Sequence, residues 1–346
     1  MAATHRQTFF VGGSYAGPPE TRVMHGQMYV EMLTPEDVRH AFPLVLMHGA
    51  GQTAVNFMTT PDGRQGWAEW FCEQGWKVFV IDQPARGRSA WQPSVDQALT
   101  SYPLAAIEAL LTAPEDRDAW PQAKLHTQWP GGASKGHAGD PVFDQFMASQ
   151  TASLSYPECE RVMQAAGAAL LDRIGPAVLV GHSQGGLFCW LIADARPALT
   201  KAIVALEPAG PPYKDTLFKS GVDRLYGLTT LPLAYDPPVA PQSPLEFEQD
   251  AKPDADDVVT CWVQKGRPRR LKNLVGIPVL LASSEASHHA TYDHCTARYL
   301  EQAGVKVDFV RLADKGIRGN GHMMMLEMNN LEIAAFLNEW LTAKIG

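Results

Sequence analysis

Between Val178 and Gly186 a run of apolar residues of strand length, VLV, breaks into GHSQGG and is followed at once by the helical stretch LFCWLIADA. A serine between glycines at such a junction matches G-x-S-x-G, here Gly181-His182-Ser183-Gln184-Gly185. This pattern marks a sharp turn from strand to helix, in which a strained serine is tolerated only because its neighbours are small. The turn predicts that the Ser183 hydroxyl stands above the edge of a sheet as a candidate nucleophile. The next backbone N–H, that of Gln184, then lies at a helix N-terminus where developing negative charge is favoured.

The same rhythm recurs along the chain. Candidate strands lie near residues 9, 27, 43, 77, 177, 201, 278 and 305, in FFVGG, QMYVEML, PLVLMHG, KVFVID, AVLVGHS, KAIVALEP, PVLLASSE and VKVDFVRL. Helical patterns fall between them, from Gly66 to Glu73, Pro157 to Arg173, Gln184 to Ala195, Thr291 to Ala303 and Asn330 to Lys344. Alternation of this kind predicts an α/β fold, with a mostly parallel central sheet and helices on both faces. At 346 residues and 45% hydrophobic, the chain is expected to fold as one elaborated domain over residues 1–346. Two Pro/Gly-rich stretches, 92–154 and 209–272, interrupt the alternation. Both follow strand C-termini, where open α/β sheets bind ligands, so they are expected to be cap or lid insertions.

Charge and cysteines narrow the function classes. The net charge of -8 comes from interspersed acids and bases, with no basic run suited to nucleic acid or an anionic bilayer. No stretch reaches the length of a membrane span, and MAATHRQTFFVGG lacks the apolar run of a secretory signal, so a cytoplasmic location is expected. The five cysteines, Cys72, Cys159, Cys189, Cys261 and Cys295, show no CxxC spacing and are expected to be reduced thiols. No nucleotide-binding loop is present, and neither a cofactor nor a metal is expected, although His288, His289, Asp293 and His294 form a local cluster. The sequence does not decide whether the chain associates with copies of itself.

A second small-residue loop, His48-Gly49-Ala50-Gly51, ends the strand PLVLM, and its Ala50 N–H is the expected second donor to an oxyanion. His48 itself is expected to be structural. Together HGAGQT, TTPDGRQGW, IDQPARGRS, VGHSQGG, ALEPAG and GIRGNGHMMM make the chain similar to the α/β-hydrolases. More narrowly it resembles a bacterial esterase group that includes sulfonylurea-herbicide de-esterifying enzymes. The resemblance spans nearly the whole chain and implies a serine, an acid and a histidine in that chain order. His322, in GIRGNGHMMM after the last strand, has the place of the base. Two carboxylates compete as the acid that holds it: Glu285 ends PVLLASSE, where many members of the family keep theirs, and Glu207 ends KAIVALEP. The esterase group takes its acid from the corresponding E-P, which favours Glu207.

The resemblance thus implies a carboxylesterase acting through an acyl-enzyme on a small, apolar or aromatic ester, with water as the second substrate. The same residue set would also suit a C–C bond hydrolase, a lactonase or a non-catalytic binding protein on a hydrolase scaffold. Gly51, His182 and Met323 adjoin the proposed groups and are candidate substrate contacts, and the aromatic residues of the inserts are expected either to line a pocket or to fill core. An imidazole with an ordinary pKa would make activity fall below about pH 6.5.

Overall fold

The computed structural model describes residues 4–131, 135–215 and 224–346; parts of both expected insertions, 132–134 and 216–223, lie outside the described residues. Its centre is a sheet of eight strands: β1 (Thr4–Ala16), β2 (Val23–Pro35), β3 (Leu44–Met47), β4 (Val78–Asp82), β5 (Ala177–His182), β6 (Thr200–Leu206), β7 (Val279–Ser283) and β8 (Val307–Arg311). They lie in the order β1-β2-β4-β3-β5-β6-β7-β8. The first two form an antiparallel hairpin that meets β4 antiparallel; every pairing from β4 through to β8 is parallel. Each expected strand is present in this sheet.

The centre of the sheet is buried on both faces, which is why β5 reads as an unbroken apolar run rather than an alternating one. Leu179 packs into one core with Phe188 and Leu171, while Val178 and Val180 pack into another with Trp67, Phe71 and Leu337. The helices α1 (Trp67–Glu73), α2 (Tyr156–Ile174), α3 (Gln184–Ala195), α4 (Asp293–Gln302) and α5 (Asn330–Ile345) supply these layers. Helix α2 carries Pro157 in its first turn and stops at Gly175, whose φ of 82° favours glycine.

The segments 92–154 and 209–272 follow the C-terminal ends of β4 and β6, and both contribute residues to one cavity with Ser183. One cysteine expectation is corrected here, since Cys261 and Cys295 form a disulfide that ties the second segment to α4. They are 34 residues apart in sequence but 5.2 Å apart between Cα atoms, a proximity made by the fold and invisible in the spacing. Cys72, Cys159 and Cys189 are buried free thiols, as expected.

Candidate active site

Ser183 stands at the junction of β5 and α3 with φ 54° and ψ -118°, a conformation that costs energy for any residue with a Cβ. The surroundings hold it there. Its N–H donates to Leu206 O at 2.9 Å, and its carbonyl accepts from Ala209 N and Gly186 N, each at 2.9 Å. The flanking glycines are required by close approach: a Cβ on Gly181 would sit 2.3 Å from Gly185 O, and one on Gly185 would sit 2.3 Å from Met47 O.

Glu207 follows β6 directly and also has positive φ, at 47°. This bend brings its carboxylate beneath the loop after β8. Glu207 Oε1 accepts from Ser284 N at 2.7 Å, and Oε2 accepts from Ser287 Oγ at 2.7 Å and from His322 Nδ1 at 2.5 Å. The other candidate acid, Glu285, is occupied elsewhere. It binds Arg318 Nη1 at 2.7 Å and accepts from Gly319 N at 2.8 Å, so it fastens the start of the histidine loop and does not touch the imidazole.

The imidazole of His322 is enclosed by three others. His289 stacks on it with ring centroids 4.7 Å apart and planes 6° apart, and His288 and His182 lie at 4.8 and 4.4 Å. His182 Nε2 donates to the main-chain oxygen of His322 at 2.9 Å. Burial, reinforced by these neighbouring rings, holds the His322 pKa well below the ordinary imidazole value, so the ring is neutral; Nδ1 is bonded to Glu207, and Nε2 makes no hydrogen bond among the described residues. Burial pushes the carboxyls of Glu207 and nearby Asp293 above their usual range. The donors converging on Glu207 oppose that shift and favour its charged form.

The histidine and acidic cluster noted in the sequence is divided by the fold. His289 meets Asp293 Oδ1 and Tyr292 Oη, each at 2.9 Å, whereas His294 lies against Cys295 Sγ at 3.4 Å. Ring nitrogens of His288, His289 and His322 come within 4.8 Å of one another. Those of His289 are both committed to protein partners and Nδ1 of His322 to Glu207.

Ala50 and Ser183 face the same cavity. Gln184 opens α3, and its N–H is one of the first four that have no acceptor within the helix. Buried Arg86 joins the two loops, donating from Nη1 to Gly49 O at 3.1 Å and from Nη2 to Gln184 Oε1 at 2.8 Å. His48 is structural in contact, accepting Gln83 N at 3.1 Å and bonding Gly49 O at 2.9 Å, with burial lowering its pKa to about 3. Asp82 likewise organises the chain, binding Ala54 N at 2.8 Å and Arg88 Nε at 2.7 Å.

The cavity above Ser183 has a volume of about 300 Å³. Tyr102, Ile107, Leu110 and Leu111 from the first insertion form one wall; Ala209, Gly210, Asp215 and Arg224 from the second contribute another; Tyr156, Tyr292, His288 and His289 complete it with His322. The expected contacts Gly51, His182 and Met323 are not among its lining residues. Gly51 packs against the ring of Tyr102, His182 sits beneath His322, and Met323 is buried in the core with its Sδ accepting from Gln52 Nε2 at 3.4 Å. Of the aromatic insert residues, Trp120, Trp129, Phe143 and Phe146 are buried as core. Tyr102, Tyr292 and Arg224 were not singled out in the sequence, where no local pattern marks them.

The chain matches the model of the alpha/beta hydrolase family over residues 44–336 and belongs to that family. It is 44% identical over 335 residues, 96% of this chain and 88% of the relative, to the probable secreted lipase phiG of Fungal sp. (strain ATCC 74256). A novel bacterial esterase solved at atomic resolution superposes with a TM-score of 0.65 over 99% of this chain and 96% of its own, at 23% identity, and so shares the fold. The secreted relative overturns the cytoplasmic location expected from MAATHRQTFFVGG, and the Cys261–Cys295 disulfide agrees with that correction. Among the described residues no helix is long and apolar enough to cross a membrane.

Proposed function

We propose that the chain is an exported serine hydrolase that cleaves carboxylic esters of modest size. Ser183 Oγ attacks the acyl carbon as His322 accepts its proton; the oxyanion is met by the N–H groups of Ala50 and Gln184. His322 then gives the proton to the departing alcohol, and water repeats the sequence on the acyl-enzyme to regenerate Ser183 and release the acid. Glu207 holds the imidazole with Nδ1 protonated and stabilises the imidazolium that forms transiently.

The observation that carries this reading is the 2.5 Å contact of His322 Nδ1 with Glu207 Oε2, with His322 and Ser183 facing one cavity. The 44% identical lipase supports the choice of esters as substrates. Labelling with a fluorophosphonate tests it directly. Covalent modification at Ser183, with loss of both labelling and p-nitrophenyl ester hydrolysis in Ser183→Ala, is the expected result; undiminished hydrolysis by the variant would overturn the assignment.

A further inference from the structure

We infer that Arg224 receives a carboxylate of the substrate, so that the ester this cavity takes is a monoanion with an apolar or aromatic body. This rests on the ester-hydrolase reading above and names its substrate class. Arg224 is 6% exposed, yet it lines the same cavity as Ser183 and His322. One nitrogen is spent on position, since Nη1 donates to Pro211 O at 3.2 Å. Its Nε is buried with no hydrogen-bond partner, and the acid its charge reaches, Glu160, has its oxygens taken by the N–H groups of Thr230 and Leu231. Asp215 shares the cavity wall.

A guanidinium does not escape such a place by losing its proton. Left unpaired it destabilises the fold, whereas a planar carboxylate matches its fork and restores the lost hydration. A carboxylate is favoured over a phosphate monoester, because Asp215 already places an acid on the same wall and a phosphate near -2 would meet about twice the like-charge repulsion. The remaining wall suits the rest of such a molecule, with Ile107 and Leu111 apolar and Tyr102 and Tyr156 aromatic.

The test compares charged and neutral esters on the full-length wild-type protein. One arm places the carboxylate on the acyl side, mono-4-nitrophenyl glutarate against 4-nitrophenyl butyrate; the other places it on the alcohol side, 4-acetoxybenzoate against phenyl acetate. At least one charged ester is expected to exceed its neutral partner by about tenfold or more in kcat/KM, mainly through KM, and Arg224→Gln to erase that ratio. Calorimetric titration with benzoate and benzamide reads the same site without turnover. Benzoate binding in the wild type, weakened at least tenfold in Arg224→Gln, supports the assignment even if no ester is hydrolysed, an outcome that would sink only the catalytic reading. Equal binding of benzoate and benzamide, or a preference for charged esters that survives Arg224→Gln, overturns it.

Discussion

Arg86 and Gln184 are joined by a 2.8 Å hydrogen bond, and the same guanidinium holds Gly49 O at 3.1 Å. The two main-chain segments proposed to bind the oxyanion therefore share one buried brace. Amides of this kind work only when held at the position the oxyanion will occupy, and a displacement near 1 Å can cost about a hundredfold in rate. Arg86→Met keeps the stem and removes the brace. A fall in kcat of about tenfold to a hundredfold is expected, with KM changed only a few-fold and folding verified by circular dichroism. Unchanged kcat would show that the loops hold their places without Arg86.

The two acids make opposite predictions although both lie near the histidine loop. Glu207→Gln retains the shape but presents an amide to His322 Nδ1, disfavouring the tautomer that leaves the other nitrogen basic; a drop in kcat of about 10⁴ is expected. Glu285→Gln loses a contact with Arg318 and Gly319 at the loop's outer end and is expected to cost less than about tenfold. Steady-state kinetics of both variants on one ester decide the matter, and the reverse ranking would reassign the acid.

How far the sequence reaches can be followed along these residues. Ser183 was legible because its constraint is local: strand, glycine-flanked turn and helix are contiguous, and α3 occupies Gln184–Ala195 as the pattern predicts. The strands were legible because burial on both faces demands continuous apolar runs. Glu207 was separable from Glu285 chiefly through a family resemblance, helped by the cost of burying an unpartnered charge after KAIVAL, since both end parallel strands and the carboxylate's reach depends on the positive φ of Glu207. The cavity wall was not legible. Arg224, Tyr102 and Tyr292 come together by the folding back of irregular segments, and Cys261 meets Cys295 for the same reason. The antiparallel direction of the first two strands was likewise unmarked.

The environment of His322 changes the pH dependence expected from an ordinary imidazole. Burial and the adjacent rings of His182, His289 and His288 hold its pKa well below 6.5. The base form therefore persists at lower pH, and the acid limb of kcat/KM is expected to fall below pH 6.5 rather than at it. Stability limits the window from the same side. His48 and His182, both lowered to about 3 by burial, must take up protons on unfolding, so their contribution is present above pH 6.5 and lost as pH falls toward 3. Short initial-rate assays with parallel circular dichroism separate the two effects; a folded enzyme with its half-point at or above 6.5 would contradict the neutral, enclosed imidazole.

His126 should act in the opposite direction. It lies in the first insertion and meets Glu115 Oε2 at 2.6 Å and Glu327 Oε1 at 2.9 Å. Glu327 in turn accepts from Gly321 N at 2.9 Å, immediately before His322. Burial would lower the His126 pKa, but the two carboxylates prevail and raise it to about 9. The folded state therefore binds this proton more tightly than the unfolded chain, whose imidazole titrates near 6.5. The resulting stabilisation is complete below pH 6.5 and is lost as pH rises through 9; integrated over that interval it is about 3 kcal/mol. Urea unfolding at pH 6.5 and pH 9.5 should show the wild type losing stability, while His126→Gln, weaker at pH 6.5, should lose distinctly less over the same interval. Equal losses in the two proteins would mean that His126 is not held protonated between the insertion and the histidine loop.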